Sequence, residues 1–416
     1  MPARALLLAL FALPLTTRAD DWPQWRGPAR TAHVPAGVAV PEKLTSLKTV
    51  WQIPAGNGLA SPVVSGGKVF YLDAQGTKET VHAVSAADGK DVWSVPLDDL
   101  HKDSQSPAGP RCTPTVDGDR VYAQSCRGEL QCLSAADGKV LWRTNYVKDL
   151  GATFIGEKGQ APGASRHGYT PAPLVDGDHL IVEAGGKDAG VVCFDKATGK
   201  VVWKSPTMMP GYAAPIVATI AGTPQVVCFM SDGLIGIDRA TGKQLWLVPM
   251  KTGFGRHVTT PIVLGDLVIV ASHQVGLVGV KVTKTGDEWK ADKAYTVKEA
   301  AINFSSPVLV GQHFYGVGPQ KNLICVEATT GKIAWSKDDF FAGNATRTHA
   351  GMILAGKNLL VLTDDGQLVM IAADPAAYRE IGRAQACGTN WCQPAYANGR
   401  LYVRDAKAVY CLEPAQ

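Results

Sequence analysis

From about residue 47 to its end the chain alternates short apolar runs with polar turns, and no stretch keeps the 3.6-residue periodicity of a long helix. The runs come in groups of four. Most groups open with a small residue and Pro: Ser61-Pro62, Thr113-Pro114, Thr170-Pro171, Ala214-Pro215, Thr260-Pro261 and Ser306-Pro307. Gln393-Pro394 opens another, and Ala350-Gly351 stands in the same phase, which makes eight openings. After each comes an apolar run, a turn such as Asp117-Gly118-Asp119 or Asp176-Gly177-Asp178, and a second run such as Arg120 to Ala123. A third run leads into a Gly-Lys turn, and a fourth carries a Trp. Four antiparallel strands per group are predicted.

The stretch Asp195 to Trp203 shows the last turn in full, with Thr198-Gly199-Lys200 followed by Trp203. Copies stand at Asp88-Gly89-Lys90 to Trp93, Asp137-Gly138-Lys139 to Trp142, Thr241-Gly242-Lys243 to Trp246 and Thr330-Gly331-Lys332 to Trp335, with a weaker one at Thr285-Gly286 to Trp289. Gly supplies the positive φ of a tight hairpin, and a recurring Trp needs a packing partner outside its own hairpin. Trp51, Trp93, Trp142, Trp203, Trp246, Trp289 and Trp335 are separated by 42, 49, 61, 43, 43 and 46 residues, about one propeller blade each. Trp51 belongs to a fourth strand with no first three before it, and the last group, from Pro394 to Glu413, has three strands. The expected fold is therefore all-β, an eight-bladed β-propeller of four-stranded antiparallel blades, closed by the N-terminal strand. The seventh group is degenerate, with Ile381 in the Trp phase and Asp374-Pro375 in place of the Gly-Lys turn.

Residues 1–19 place Arg4 before an apolar run and end Thr17-Arg18-Ala19, the pattern of a cleavable secretory signal. It is too short to span a membrane as an anchor. No Cys follows the cut, so a periplasmic or secreted protein without a lipid anchor is expected. Residues 20–46 form an N-terminal extension whose Trp22 and Trp25 are expected to pin it to the outside of the body, and 47–416 form the propeller. Without the leader, 39 basic residues face 37 acidic ones, which gives no reason to expect nucleic acid as a partner. The longest insertion, Arg143 to Ser165, is expected to be an irregular flap over one end of the channel.

Nine Cys in an exported chain invite disulfides. Cys132, Cys193, Cys325 and Cys411 fall in one repeat phase, where other groups carry Ala83, Gly236, Gly279 and Met370, and are read as compact buried residues. Cys112 with Cys126, and Cys387 with Cys392, are the candidate bridges; Cys132 is a rival partner for Cys126. No metal motif occurs.

In a propeller the loops that lead into the first strands open together on one face. The residues there are Asn57, Arg111, Arg166, His167, Tyr212, Arg256, His257, Asn303, Phe304, Arg347, His349, Asn390 and Trp391. Converging Arg and His would make a cationic funnel for a carboxylate, phosphate or sulfate, with Asn, Tyr and Trp adding hydrogen bonds and flat surfaces. The plainer alternative is that each Arg caps loop carbonyls or pairs with Asp232, Asp364 or Asp405.

The Asp/Thr-Gly-Lys-x-x-Trp repeat resembles that of the pyrroloquinoline-quinone-like (quinoprotein dehydrogenase-like) β-propellers. The opening Trp22 to Pro28 and the stretch Gly168 to Val175 are similar to the outer-membrane assembly factor, or BamB-type, propellers. The likeness is specific for fold; the intact repeats, the cationic rim and the absence of a recognisable catalytic set lead to the expectation of an exported, monomeric binding or scaffold module for a partner protein or anionic ligand, with no catalytic residue assigned. The alternative that the resemblance implies is a pyrroloquinoline-quinone-dependent oxidoreductase acting on alcohols or sugars, with calcium as second cofactor. Such dehydrogenases carry a vicinal Cys pair, no two Cys are adjacent here, and so no cofactor is assigned. A hydrolase or lyase using His167, His257 or His349 as base lacks a nucleophile motif.

Overall fold

The computed structural model describes residues 20–102, 106–154, 167–253, 255–342 and 348–415. The leader, Arg166 and Arg347 lie outside the described residues. Eight antiparallel sheets of four strands make an eight-bladed β-propeller. Blades 1 to 7 cover 63–99, 115–145, 174–204, 216–249, 262–297, 308–337 and 350–385, each in chain order. Blade 8 combines 395–415 with the N-terminal strand Ser46–Pro54, which pairs antiparallel with Ala408–Ala415 and sets Trp51 opposite Cys411. The inner strands are short and buried, as Val63–Ser65 is, whereas outer strands such as Asp91–Asp99 alternate buried and exposed positions. One sheet edge thus faces the channel and the other faces water.

The repeated Trp and the repeated turn form one device, and they sit in different blades. The Trp51 indole N–H of blade 8 donates to the Ala86 carbonyl of the blade 1 turn, at 3.0 Å. Trp93 donates likewise to Ala135, Trp142 to Lys196 and Trp203 to Arg239, at 3.0 to 3.2 Å. Each accepting carbonyl stands three residues before the turn Gly, and that Gly lies under the same ring. A Cβ on Gly199 would come within 2.7 Å of Trp142. The turn needs Gly for its positive φ and again for the close approach of the indole. Across its own sheet each Trp faces a compact residue: Ala83, Cys132, Cys193, Gly236, Cys325 or Cys411. These Cys are buried because the Trp leaves space for nothing larger.

Two positions in the repeat differ from the expectation. In blade 5 the phase residue is Tyr295, opposite Gly279, with its hydroxyl on the Ala328 carbonyl at 2.7 Å. Trp289 instead pairs with Lys284 near the tip of a hairpin that runs past the blade, Gly276–Thr285 with Glu288–Val297. Because that tip has moved outward, Trp246 of blade 4 finds no turn carbonyl and donates to Gln225 of its own blade at 2.7 Å. In blade 7 the register shifts between Met370 and Ile371, so Gly382, not Ile381, faces Met370. Blade 8 has no turn there, since its third and fourth strands come from opposite ends of the chain. No Trp is needed, and the Leu44 backbone lies against Gly382.

The N-terminal extension is not an external strap. Trp22 exchanges backbone hydrogen bonds with Val64 of blade 1, and the Pro23 carbonyl accepts from Val116 of blade 2. Arg30 donates to Ala172 and Pro173 of blade 3 and to Pro215 of blade 4. Trp25 reaches Thr260 Oγ1 in blade 5, and Arg26 the Pro307 carbonyl in blade 6. Val34 and Ala32 bond to Leu354 of blade 7, and the Ala39 carbonyl takes the Tyr396 hydroxyl of blade 8. The segment touches all eight blades and plugs the channel. The inner strands present carbonyls that their own sheets leave unpaired, and buried carbonyls need donors.

The insertion after blade 2 begins later than expected, because Arg143 is still in the strand Val140–Asn145. A turn of helix, Tyr146–Leu150, follows, capped by the Asn145 side chain. Residues 155–166 lie outside the described ones. Neither expected disulfide forms, and all nine Cys are free and buried. The Cys112 thiol turns to the Pro171 carbonyl and that of Cys126 to Gly109, while the Cys392 thiol turns to Leu59 and Ala60, away from Cys387.

Candidate functional site: a one-ended rim cavity

The loops before the eight first strands enclose a cavity of about 470 Å³ at one end of the channel. Blade 1 contributes Asn57, blade 2 Arg111, blade 3 His167, blade 4 Tyr212 and blade 5 Arg256. Phe304, His349 and the pair Asn390 and Trp391 come from blades 6, 7 and 8. Trp25 of the plug also lines it, so the extension closes the inner end. Repeat phase located the rim residues. It could not locate Trp25 or Ser106, which lie outside the repeat.

The wall has two halves. In one, Arg111 donates to Ser106 Oγ at 2.7 Å and to the Pro107 carbonyl at 3.0 Å, while Ser106 Oγ lies 3.3 Å from His167 Nδ1. The His167 ring leans on Tyr212, with centroids 5.6 Å apart. In the other, the Arg256 guanidinium lies over Phe304 at 5.1 Å, Phe304 leans on Trp391 at 5.0 Å, and His349 stacks on Trp391 with 12° between planes. Cationic groups and flat rings therefore alternate around the opening. Arg111 caps a loop carbonyl as well as facing the cavity, so both expected roles fall on one side chain.

Two expected residues do not face the cavity. His257 is 0 % exposed, rests on Phe229 at 4.0 Å and hydrogen-bonds the Met250 carbonyl through Nε2 at 3.0 Å. Its neighbour Arg256 takes the rim place, because successive residues of an extended loop point to opposite sides. Asn303 is also off the wall, and Phe304 lines it instead. Asn390 is on the wall, but its amide is spent on the Thr363 carbonyl at 2.9 Å and the Cys392 N–H at 3.3 Å.

Burial lowers the pKa of His257 and of His349 to about 4, so both imidazoles are neutral at neutral pH. The positive character of the described wall rests on Arg111 and Arg256. Asp405 is the lining carboxylate. Burial works against its charge, but the N–H groups of Lys407, Gly388 and Ala408 and the Tyr410 hydroxyl outweigh that and hold the carboxyl below its ordinary range. Its oxygens accept from the N–H groups of Lys407, Ala408 and Gly388 and from the Tyr410 hydroxyl.

Eight blades latched by aromatic residues on the next blade's turn, around a rim cavity, define the class of pyrroloquinoline-quinone-like propellers. Within that class the chain belongs to the family described as outer membrane protein assembly factor BamB, whose sequence profile matches residues 77–337. It is similar to the assembly factors of that name from Salmonella typhimurium, at 35% identity over 108 residues, and Escherichia coli, at 32%. Each match covers 24% of this chain, and the chain thus spans about a quarter of those relatives' length, 26%. A quinohemoprotein alcohol dehydrogenase of Pseudomonas putida is 26% identical over 163 residues, 36% of this chain and 20% of that protein. Among solved structures, BamB from Moraxella catarrhalis superposes with a TM-score of 0.60 at 17% identity, over 88% of this chain and 97% of that one. Quinohemoprotein alcohol dehydrogenase from Comamonas testosteroni gives 0.65 at 16%, over 95% and 81%. These two likenesses concern the fold alone. Among the described residues no helix is long and apolar enough to cross a membrane.

Proposed function

We propose that this protein is an exported, non-catalytic propeller that holds a partner protein or anionic ligand at its rim cavity. The observation that carries the reading is the cavity itself: all eight blades contribute to it, and Arg111 and Arg256 stand on its wall beside stacked rings. Arginine beside stacked rings suits a carboxylate or phosphate presented from outside. The relatives named as outer membrane protein assembly factors favour a scaffold role in the same compartment.

A calcium-bound quinone does not fit these residues. Asp405 is spent on backbone N–H groups and the Tyr410 hydroxyl, and the lining Cys392 is single, with its thiol on backbone carbonyls. Among the described residues no group of three or more His, Cys, Asp and Glu could hold a metal.

The test replaces Arg111, Arg256 and Arg347 together by Gln and titrates citrate, pyrophosphate and polyglutamate at low and high salt. The folded wild type should bind at least one of these, and the triple variant at least tenfold more weakly, a loss of about 1.4 kcal/mol. Equal affinity overturns the reading. Mixing with pyrroloquinoline quinone and calcium should leave no retained absorbance and no dye reduction; retention of both would favour the dehydrogenase.

A further inference from the structure

The plug carries two guanidinium groups into the ring, and neither hydrogen-bonds a carboxylate among the described residues. Arg26 is 3% exposed and Arg30 5%. Arg30 spends Nη1 and Nη2 on the carbonyls of Pro215, Ala172 and Pro173, and Arg26 spends Nη2 on those of Pro307 and Thr31. Arg26 Nε and Nη1 and Arg30 Nε have no protein acceptor among the described residues.

Arg404 shows what a compensated site in the same fold looks like. It is also fully buried, but all three of its nitrogens reach carbonyls, those of Leu72, Gly56 and Asp405. Two carboxylates stand beside those carbonyls: Asp405 is one partner residue, and Asp73 takes the Gly56 N–H. Among the described residues there is no such group around Arg26. Burial lowers its pKa to about 10, with no carboxylate acting against the shift, and the nearby His33 is on the Leu309 carbonyl. Near Arg30 the acid is Glu183, which is itself buried, has no hydrogen-bond partner for either carboxylate oxygen among the described residues, and is pushed well above its ordinary range by desolvation.

A buried cation without a counter-charge is destabilising, and carbonyl dipoles offset only part of the desolvation. Water could supply acceptors for the three N–H groups but no charge. We propose that a small inorganic anion of halide size is bound inside the ring on the Arg26 guanidinium, as a structural ligand that neutralises the plug. It must be small because neither Arg26 nor Arg30 lines the rim cavity. The site is therefore separate from the proposed ligand site, and either can fail without the other.

The test is anomalous diffraction from wild-type crystals grown with bromide in place of chloride. A peak within hydrogen-bonding reach of Arg26 Nε or Nη1 is expected, and the Arg26→Gln variant should lack it. In solution, the heat-denaturation midpoint of the full chain should be higher in bromide than in gluconate at equal ionic strength, and Arg26→Gln should lose that difference. A wild-type map with water and no anomalous signal at Arg26 overturns the proposal, even if the variant does not fold. So does a peak of equal height in the variant.

Discussion

The Trp51 indole N–H and the Ala86 carbonyl lie 3.0 Å apart, and between them they join the last blade to the first. The same bond recurs from blade to blade wherever the next blade has a turn to accept it. Trp51→Phe keeps most of the packing and removes the bond, and should cost about 1 kcal/mol. Trp51→Ala should cost about 3 to 5 kcal/mol. Denaturant midpoints check both, and an unchanged midpoint for Trp51→Phe would show that the carbonyl contact contributes nothing.

Arg30 fastens the plug to blades 3 and 4 through three carbonyls. Arg30→Ala leaves those oxygens buried and unpaired, at about 1 to 3 kcal/mol each before relaxation. The plug should loosen first. Limited proteolysis should cut the variant between residues 20 and 45 while the blades stay intact. Protection equal to wild type would contradict the plug's dependence on Arg30.

Gln225 substitutes for the turn carbonyl that Trp246 lacks. A cycle of Gln225→Ala, Trp246→Phe and the double variant should give a coupling of about 1 kcal/mol. Trp203→Phe with Gln225→Ala should be additive, because Trp203 bonds to the Arg239 backbone.

Gly382 lies against the Leu44 backbone, and a Cβ there would come within 2.0 Å of the Leu44 carbonyl oxygen. Gly382→Ala should therefore cost more than about 1 kcal/mol, since a backbone atom must move. Hydrogen exchange should rise in residues 44–54. A neutral substitution would mean that the seam is looser than this contact requires.

His257 has a folded pKa of about 4, lowered chiefly by burial from an ordinary value of 6.5. The unfolded chain thus binds the proton first as pH falls. The contribution of neutral His257 is complete above pH 6.5 and is lost as pH drops towards 4, by up to ~3 kcal/mol. His257→Gln should show a shallower fall of stability over that window. An unchanged slope would place the acid lability on other groups, such as His349 and His273, whose pKa values are also lowered to about 4.

The repeat was legible because each blade solves the same packing problem with the same local tokens. A turn Gly and a Trp a few residues on are near in sequence, and their spacing survives in a linear reading. The rim residues followed from the same phase, which brought Arg111, His167, Tyr212, Arg256, His349, Asn390 and Trp391 to one cavity. The reading slipped where a blade changes length. Tyr295 lies six residues past Trp289 because the blade 5 hairpin is longer, and Gly382 replaces Ile381 because a bulge moves the register by one.

Local pattern thus dictated the strands, the number of blades and the seam at Trp51, since hairpins and alternating burial depend on neighbours in the chain. Closing the ring decided the rest. It turned His257 inward and Arg256 to the rim, kept the four candidate Cys as thiols, and laid residues 20–45 against all eight blades. Those outcomes depend on which carbonyls remain unpaired and which volumes remain empty once distant blades have met, and no spacing along the chain encodes that.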